Sequence, residues 1–111
     1  MKRFILSILT IMAIANVNAA DKVLVAYFSA TGTTKAVAEQ IALASDGELM
    51  EIAPVEPYTS ADLNWNNKKS RSTVEMNDES ARPAIKKTKE NLDGYNVVYV
   101  GFPVWWYVAP R

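Results

Sequence analysis

The apolar positions of the chain fall into runs whose lengths and spacing predict their structures. Phe4 to Ala15 is apolar except for Ser7 and Thr10, follows the basic pair Lys2-Arg3 and precedes the small residues of Val17-Asn18-Ala19. That order is the order of a secretory signal peptide cleaved near Ala19, with an exported, periplasmic or extracytoplasmic destination as its consequence. The run is shorter than the ~20 apolar residues needed to cross a bilayer, so no permanent membrane anchor is expected.

From residue 20 onward the pattern alternates between strand and helix. Lys22 to Ser29 (KVLVAYFS) is nearly continuous in apolar residues and predicts a strand buried on both faces of a parallel sheet. Beyond the polar turn Ala30-Thr31-Gly32-Thr33-Thr34, the spacing of Val37, Ala38, Ile41 and Ala42 predicts a helix from Lys35 to Ser45, stopped by Asp46-Gly47. Glu48 to Ala53 reads as a second strand, ended by Pro54 and Pro57.

Tyr58 to Ser80 is polar and rich in Asn, Ser and Lys. It predicts a surface excursion with one helix, for which Ser60 before Ala61 is a candidate cap. Arg82-Pro83 introduces a second predicted helix through Leu92, with Ile85 and Leu92 inward and Lys86, Lys87 and Lys89 on a solvated face. Asp93-Gly94 would end it. Asn96 to Phe102 (NVVYVGF) is the third buried strand. Alternating strands and helices of this kind form an α/β architecture.

Composition removes several chemistries. The 111 residues include no His and no Cys, which leaves no thiol nucleophile, disulfide, imidazole base or Cys/His zinc site. The 12 basic and 12 acidic side chains balance, and the part from residue 20 onward carries 10 and 12, a charge of −2. No basic footprint for nucleic acid follows from that. Glu51 and Glu56 show no sign of sharing a site. Trp65 and Tyr58 read as a packing anchor and a turn marker.

Two segments carry chemistry. Ser29-Ala30-Thr31-Gly32-Thr33-Thr34 lies between a buried strand and a helix N-terminus, where four hydroxyls, one glycine and free backbone N–H groups favour an anion. This is the composition of a phosphate cradle. The same turn also reads as a plain βα connection capped by a threonine. It has neither the Walker spacing nor Gly-x-Gly-x-x-Gly, which removes the main support for nucleoside triphosphates and dinucleotides. The second segment is Gly101-Phe102-Pro103-Val104-Trp105-Trp106-Tyr107; six of the 11 aromatic residues fall between Tyr95 and Tyr107. Aromatics in a loop after a buried strand pack on the core or on a flat ligand. Both segments follow strand carboxyl ends, where open α/β sheets bind ligands, and together they suit a flat-ringed phosphate ester.

In order and spacing, Ser29-x-Thr31-Gly32-x-Thr34 resembles the phosphate loop of flavodoxins, and Gly101-Phe102-Pro103-Val104-Trp105-Trp106 with Ala109-Pro110 resembles the aromatic loop of a flavodoxin-like family. The resemblance implies a flavodoxin-like doubly wound parallel sheet, with strands 1–3 of five present in residues 20–111. It implies non-covalent FMN, with Ser29, Ala30, Thr31, Gly32, Thr33 and Thr34 around the phosphate and Pro103, Val104, Trp105, Trp106 and Tyr107 near the isoalloxazine. Trp106 or Tyr107 is then the stacking residue. The implied activity is electron transfer with a partner protein not specified by the sequence. An NAD(P)H-dependent FMN or quinone reductase of the same fold and a non-catalytic interaction module are the alternatives. Five βα units need on the order of 130 residues. The 92 residues here therefore suggest an interrupted family member, with Val97 to Val100 as an exposed edge open to a second chain.

Overall fold

The computed structural model describes residues 21–111. The segment read as a signal peptide, residues 1–19, lies outside the described residues. The elements are β1 (Val23–Tyr27), α1 (Thr33–Ser45), β2 (Glu48–Glu51), α2 (Arg71–Met76) and β3 (Val97–Gly101).

The strands form one parallel sheet in the order β2-β1-β3, so β1 is central, as its unbroken apolar run requires. All five β1 residues are buried. Val23, Val25 and Tyr27 pack against Ala38 of α1, with Ile41, Ala42 and Val97 around them. Leu24 and Ala26 are buried on the opposite face. The register places Tyr27 opposite both Glu51 and Gly101, so all three strands end at one level. The connections to β2 and β3 leave on opposite sides of β1, and the crevice between β1 and β3 is the switch point of the sheet.

Helix α1 starts two residues earlier than its apolar spacing predicts, and its inward face is narrower: Ala38 is buried, whereas Val37 is more than half exposed. It ends on Asp46 in the left-handed region (φ 53°), whose N–H reaches the Ala42 and Leu43 carbonyls. The stop signal Asp46-Gly47 therefore works through the aspartate. Gly47 is needed for space, because a Cβ there would lie 2.9 Å from Ser45 Oγ and 3.1 Å from Val23 Cγ1.

The region between β2 and β3 departs from expectation. The helix of the excursion is α2, capped by Ser70, whose hydroxyl accepts from the Thr73 N–H. Ser60 instead begins a single turn closed by Leu63 N–H to Thr59 O. No helix forms between Pro83 and Leu92. The backbone there is extended, with Ile85 bridging antiparallel to Pro54 through Val55 N–H to Ala84 O and Lys86 N–H to Ala53 O. Two apolar residues seven apart offer too little burial to stabilise a helix, and the two hydrogen bonds to the backbone of Ala53 and Val55 take the place of helical ones around Ile85. Ile85 and Leu92 are correspondingly half exposed, Lys89 pairs with Glu48 at 2.9 Å, and Gly94 (φ 92°) makes the turn into β3.

Strand β3 pairs with β1 along its whole length and leaves Val98, Tyr99 and Val100 accessible at the sheet edge. Among the described residues no helix is long and apolar enough to cross a membrane.

The contact between α1 and the sheet rests on a small side chain. Ala38→Leu is expected to destabilise by about 1–3 kcal/mol through overpacking. Leu43→Ala, at a position 84% exposed, should stay within about 0.5 kcal/mol of the parent in urea denaturation.

Candidate functional site

The strand ends at Tyr27 and Gly101 release two loops side by side. Phe28 N–H donates to Gly101 O at 3.0 Å, which extends the β1–β3 pairing to the point where the loops diverge. Thr34, in the first turn of α1, sits directly over Gly101: a Cβ on that glycine would lie 3.4 Å from Thr34 Cγ2. The hydroxyl loop and the aromatic loop are thereby held against each other.

In the first loop, the helix cap is Gly32 in a left-handed conformation (φ 101°), not a threonine, and no side chain caps α1. Ser29 Oγ accepts from the Gly32 N–H at 3.0 Å, which fixes the turn. The first-turn N–H groups of α1 therefore have no side-chain partner and retain the positive end of the helix dipole. Gly32 is required for its φ and not for room, since a Cβ there would meet nothing within 4 Å. Lys35 is exposed, in keeping with a solvated helix residue.

The second loop is a tight hairpin. Trp105 and Val108 bridge through Trp105 N–H to Val108 O at 2.8 Å and the reciprocal bond at 3.0 Å. The two residues between them, Trp106 (φ 50°) and Tyr107 (φ 68°), both lie in the left-handed region. Two successive positive φ values are the signature of a type I′ turn, normally built from Asn and Gly. Bulky side chains there are strained by roughly 1–3 kcal/mol each, a device that clusters at binding sites. The strain holds Tyr107 98% exposed at the tip and Trp106 partly exposed beside it.

Trp105 has a different role from its neighbours. Its ring packs edge-on to Phe28 (5.7 Å between centroids) and to Tyr58 (5.4 Å), and Phe28 and Tyr58 lie 5.9 Å apart. Tyr58 is thus a packing residue of the site and not merely a turn marker. Its hydroxyl donates to Glu75 at 2.5 Å, and the Arg71 guanidinium lies 3.9 Å from its ring while bonding Glu75 at 2.8 Å and the Glu56 carbonyl at 2.6 Å. Burial, then the hydrogen bond and charge of Glu75, push the Tyr58 hydroxyl well above the ordinary tyrosine range. It stays a proton donor, and α2 is tied through it to the aromatic hairpin.

Between the loops lies a cleft of about 810 Å³, within the range of small-molecule sites. Of the expected residues, Ala30, Thr31, Thr33, Thr34, Pro103, Val104, Trp105, Trp106 and Tyr107 line it. Ser29 and Gly32 are not in the lining; they shape the turn. The third wall comes from Leu63, Trp65 and Ser72 of the excursion. Trp65 is 69% exposed, so it is a wall of the cleft and not a packing anchor. Its only sequence signal was a large aromatic in an otherwise polar stretch. The lining holds no acid, amine or guanidinium, and among the described residues no cluster of carboxylates could hold a metal. The site offers hydroxyls, backbone N–H groups and aromatic faces.

Replacing Trp106-Tyr107 by Asn-Gly should relieve the turn and raise stability by about 1–3 kcal/mol, read from the urea midpoint. An unchanged or lowered midpoint would show that the two rings contribute more packing than their backbone strain costs.

Comparison with known proteins agrees with this geometry. No curated protein matches the chain. A solved candidate flavoprotein from Bacteroides eggerthii DSM 20697 is 63% identical, with a TM-score of 0.79 over 81% of this chain and 57% of its own. A second, from Bacteroides uniformis ATCC 8492, is 52% identical, with a TM-score of 0.79 over 83% of this chain and 59% of its own. The chain thus spans somewhat more than half the length of these relatives. A flavodoxin family model matches residues 22–111, from the start of the central strand through the aromatic hairpin, and the chain belongs to the flavodoxin family.

Proposed function

We propose that the chain carries the FMN-binding part of an exported flavoprotein that transfers electrons to a partner protein. The observation that carries this reading is the single cleft formed by the hydroxyl loop and the strained aromatic hairpin at the β1/β3 switch point. That is where doubly wound sheets of this kind bind their flavin.

The residues present suit FMN at each end. Thr31, Thr33 and Thr34 supply hydroxyl donors beside the uncapped N–H groups of α1, which together hold a phosphate by dipole and hydrogen bonds without a cation. Trp106 and Tyr107 present aromatic faces for stacking, and Trp105, fixed by Phe28 and Tyr58, backs the hairpin. Bound FMN supplies the redox chemistry, and the protein supplies orientation and electrostatics. A lining without acids or amines favours an electron carrier over a reductase that must move protons through its own side chains.

The discriminating experiment is a fluorescence titration of the protein with FMN and with riboflavin, alongside circular dichroism. FMN is expected to be quenched stoichiometrically, and riboflavin to bind on the order of a hundredfold more weakly, because the charged phosphate contacts are lost. A folded protein that leaves FMN fluorescent would instead favour a protein-interaction module. Export is checked by the mass of the protein recovered outside the cytoplasm: removal of residues 1–19 is expected, and an intact Met1 terminus in that fraction would refute a cleaved signal.

A further inference from the structure

Within the excursion, Ser72 stands apart chemically from the other buried hydroxyls. Ser70, Ser72 and Thr73 are all buried at the start of α2. The Ser70 and Thr73 hydroxyls bond each other at 2.9 Å, and Ser70 caps the helix. The Ser72 hydroxyl has no hydrogen-bond partner among the described residues, although the residue is only 2% exposed. A buried hydroxyl left unpaired is costly, and such groups in folded proteins call for a functional explanation.

Position supplies one. Ser72 belongs to the wall of the 810 Å³ cleft, flanked there by Leu63 and Trp65. The Ser72 N–H donates to Asp62 O at 3.0 Å, which ties α2 to the turn that ends at Leu63. The Arg71–Glu75–Tyr58 network anchors the same helix to the aromatic hairpin. The backbone of Ser72 is therefore fixed while its hydroxyl has no partner to hold it, and a change of χ1 between the staggered positions open to a helical serine would redirect it.

We propose that Ser72 is a flavin-contacting residue: its hydroxyl swings about χ1 into the cleft and hydrogen-bonds the polar edge of the isoalloxazine, not the phosphate. The inference rests on the flavin reading of the site. The ring is the favoured target because the phosphate is already served by Thr31, Thr33, Thr34 and the helix dipole. The wall around Ser72 is apolar and aromatic, suited to a flat ring whose carbonyl and N–H groups need a partner able both to donate and to accept. A serine hydroxyl meets that need without placing a charge against the flavin.

The test compares wild type with Ser72→Ala in fluorescence titrations with FMN and with riboflavin, and records thermal unfolding without flavin. The substitution should weaken both ligands by the same factor, roughly fivefold to tenfold, and leave the unliganded Tm unchanged or slightly raised, because an unpaired hydroxyl has been removed. Ser72→Thr, which keeps the hydroxyl, should recover most of the affinity. Equal binding by wild type and Ser72→Ala would overturn the inference while leaving the flavin reading intact. A loss confined to FMN would move the contact to the phosphate and overturn it equally, as would a fall in the unliganded Tm, which marks a structural role. A folded wild type that binds neither flavin removes both the reading and the inference.

Discussion

The site depends on the register of β1 with β3. Because Tyr27 lies opposite Gly101 and the pairing continues one step to the Phe28 N–H, two loops separated by some 70 residues in sequence leave the sheet at the same level and side by side. A slip of one residue would turn every β1 side chain to the other face, driving Val23, Val25 and Tyr27 out of their packing against α1 and Leu24 and Ala26 into it. Burial on both faces of β1 therefore enforces the alignment that forms the cleft. The energy of the core and the geometry of the site are the same constraint.

Upon that alignment the molecule builds unequal walls. The hydroxyl loop is economical: one left-handed glycine, one serine-to-backbone bond and a helix whose first N–H groups stay free. The aromatic hairpin is not, since it holds Trp106 and Tyr107 in a turn that prefers Asn-Gly. The strain persists because the hairpin is braced from below, by two reciprocal backbone bonds and by the three-ring cluster of Phe28, Tyr58 and Trp105. Arg71 and Glu75 extend the brace to α2. Sheet, hairpin and excursion are thereby coupled around one space.

Much of this is legible in the amino-acid sequence. The three strands, the first helix and the hydroxyl and aromatic loops follow from unbroken apolar runs, a 3.6-residue spacing and two short motifs, and the resemblance to flavodoxins implied the doubly wound parallel sheet that brings the loops together. What went unread lies between Pro54 and Gly94. There the apolar residues are too sparse to fix a period, so Pro83 to Leu92 reads as a helix with Ile85 and Leu92 inward, whereas its backbone pairs with the chain at Pro54 through an isolated bridge. Ser60 was the expected cap, but tertiary contacts select Ser70 instead, which places Ser72, Thr73 and Met76 inside. Trp65 and Tyr58 exchanged their apparent importance for the same reason: exposure and ring partners are properties of the folded surface.

The sequence by itself determined which segments must be buried and which loops carry hydroxyls and aromatic rings, because burial and local backbone preference are written in residue type and spacing. Tertiary structure alone decided which of those rings packs inward and which faces the cleft, that the excursion forms a third wall, and that the Ser72 hydroxyl is left without a partner. These depend on contacts between residues far apart in the chain, whose geometry no local pattern encodes.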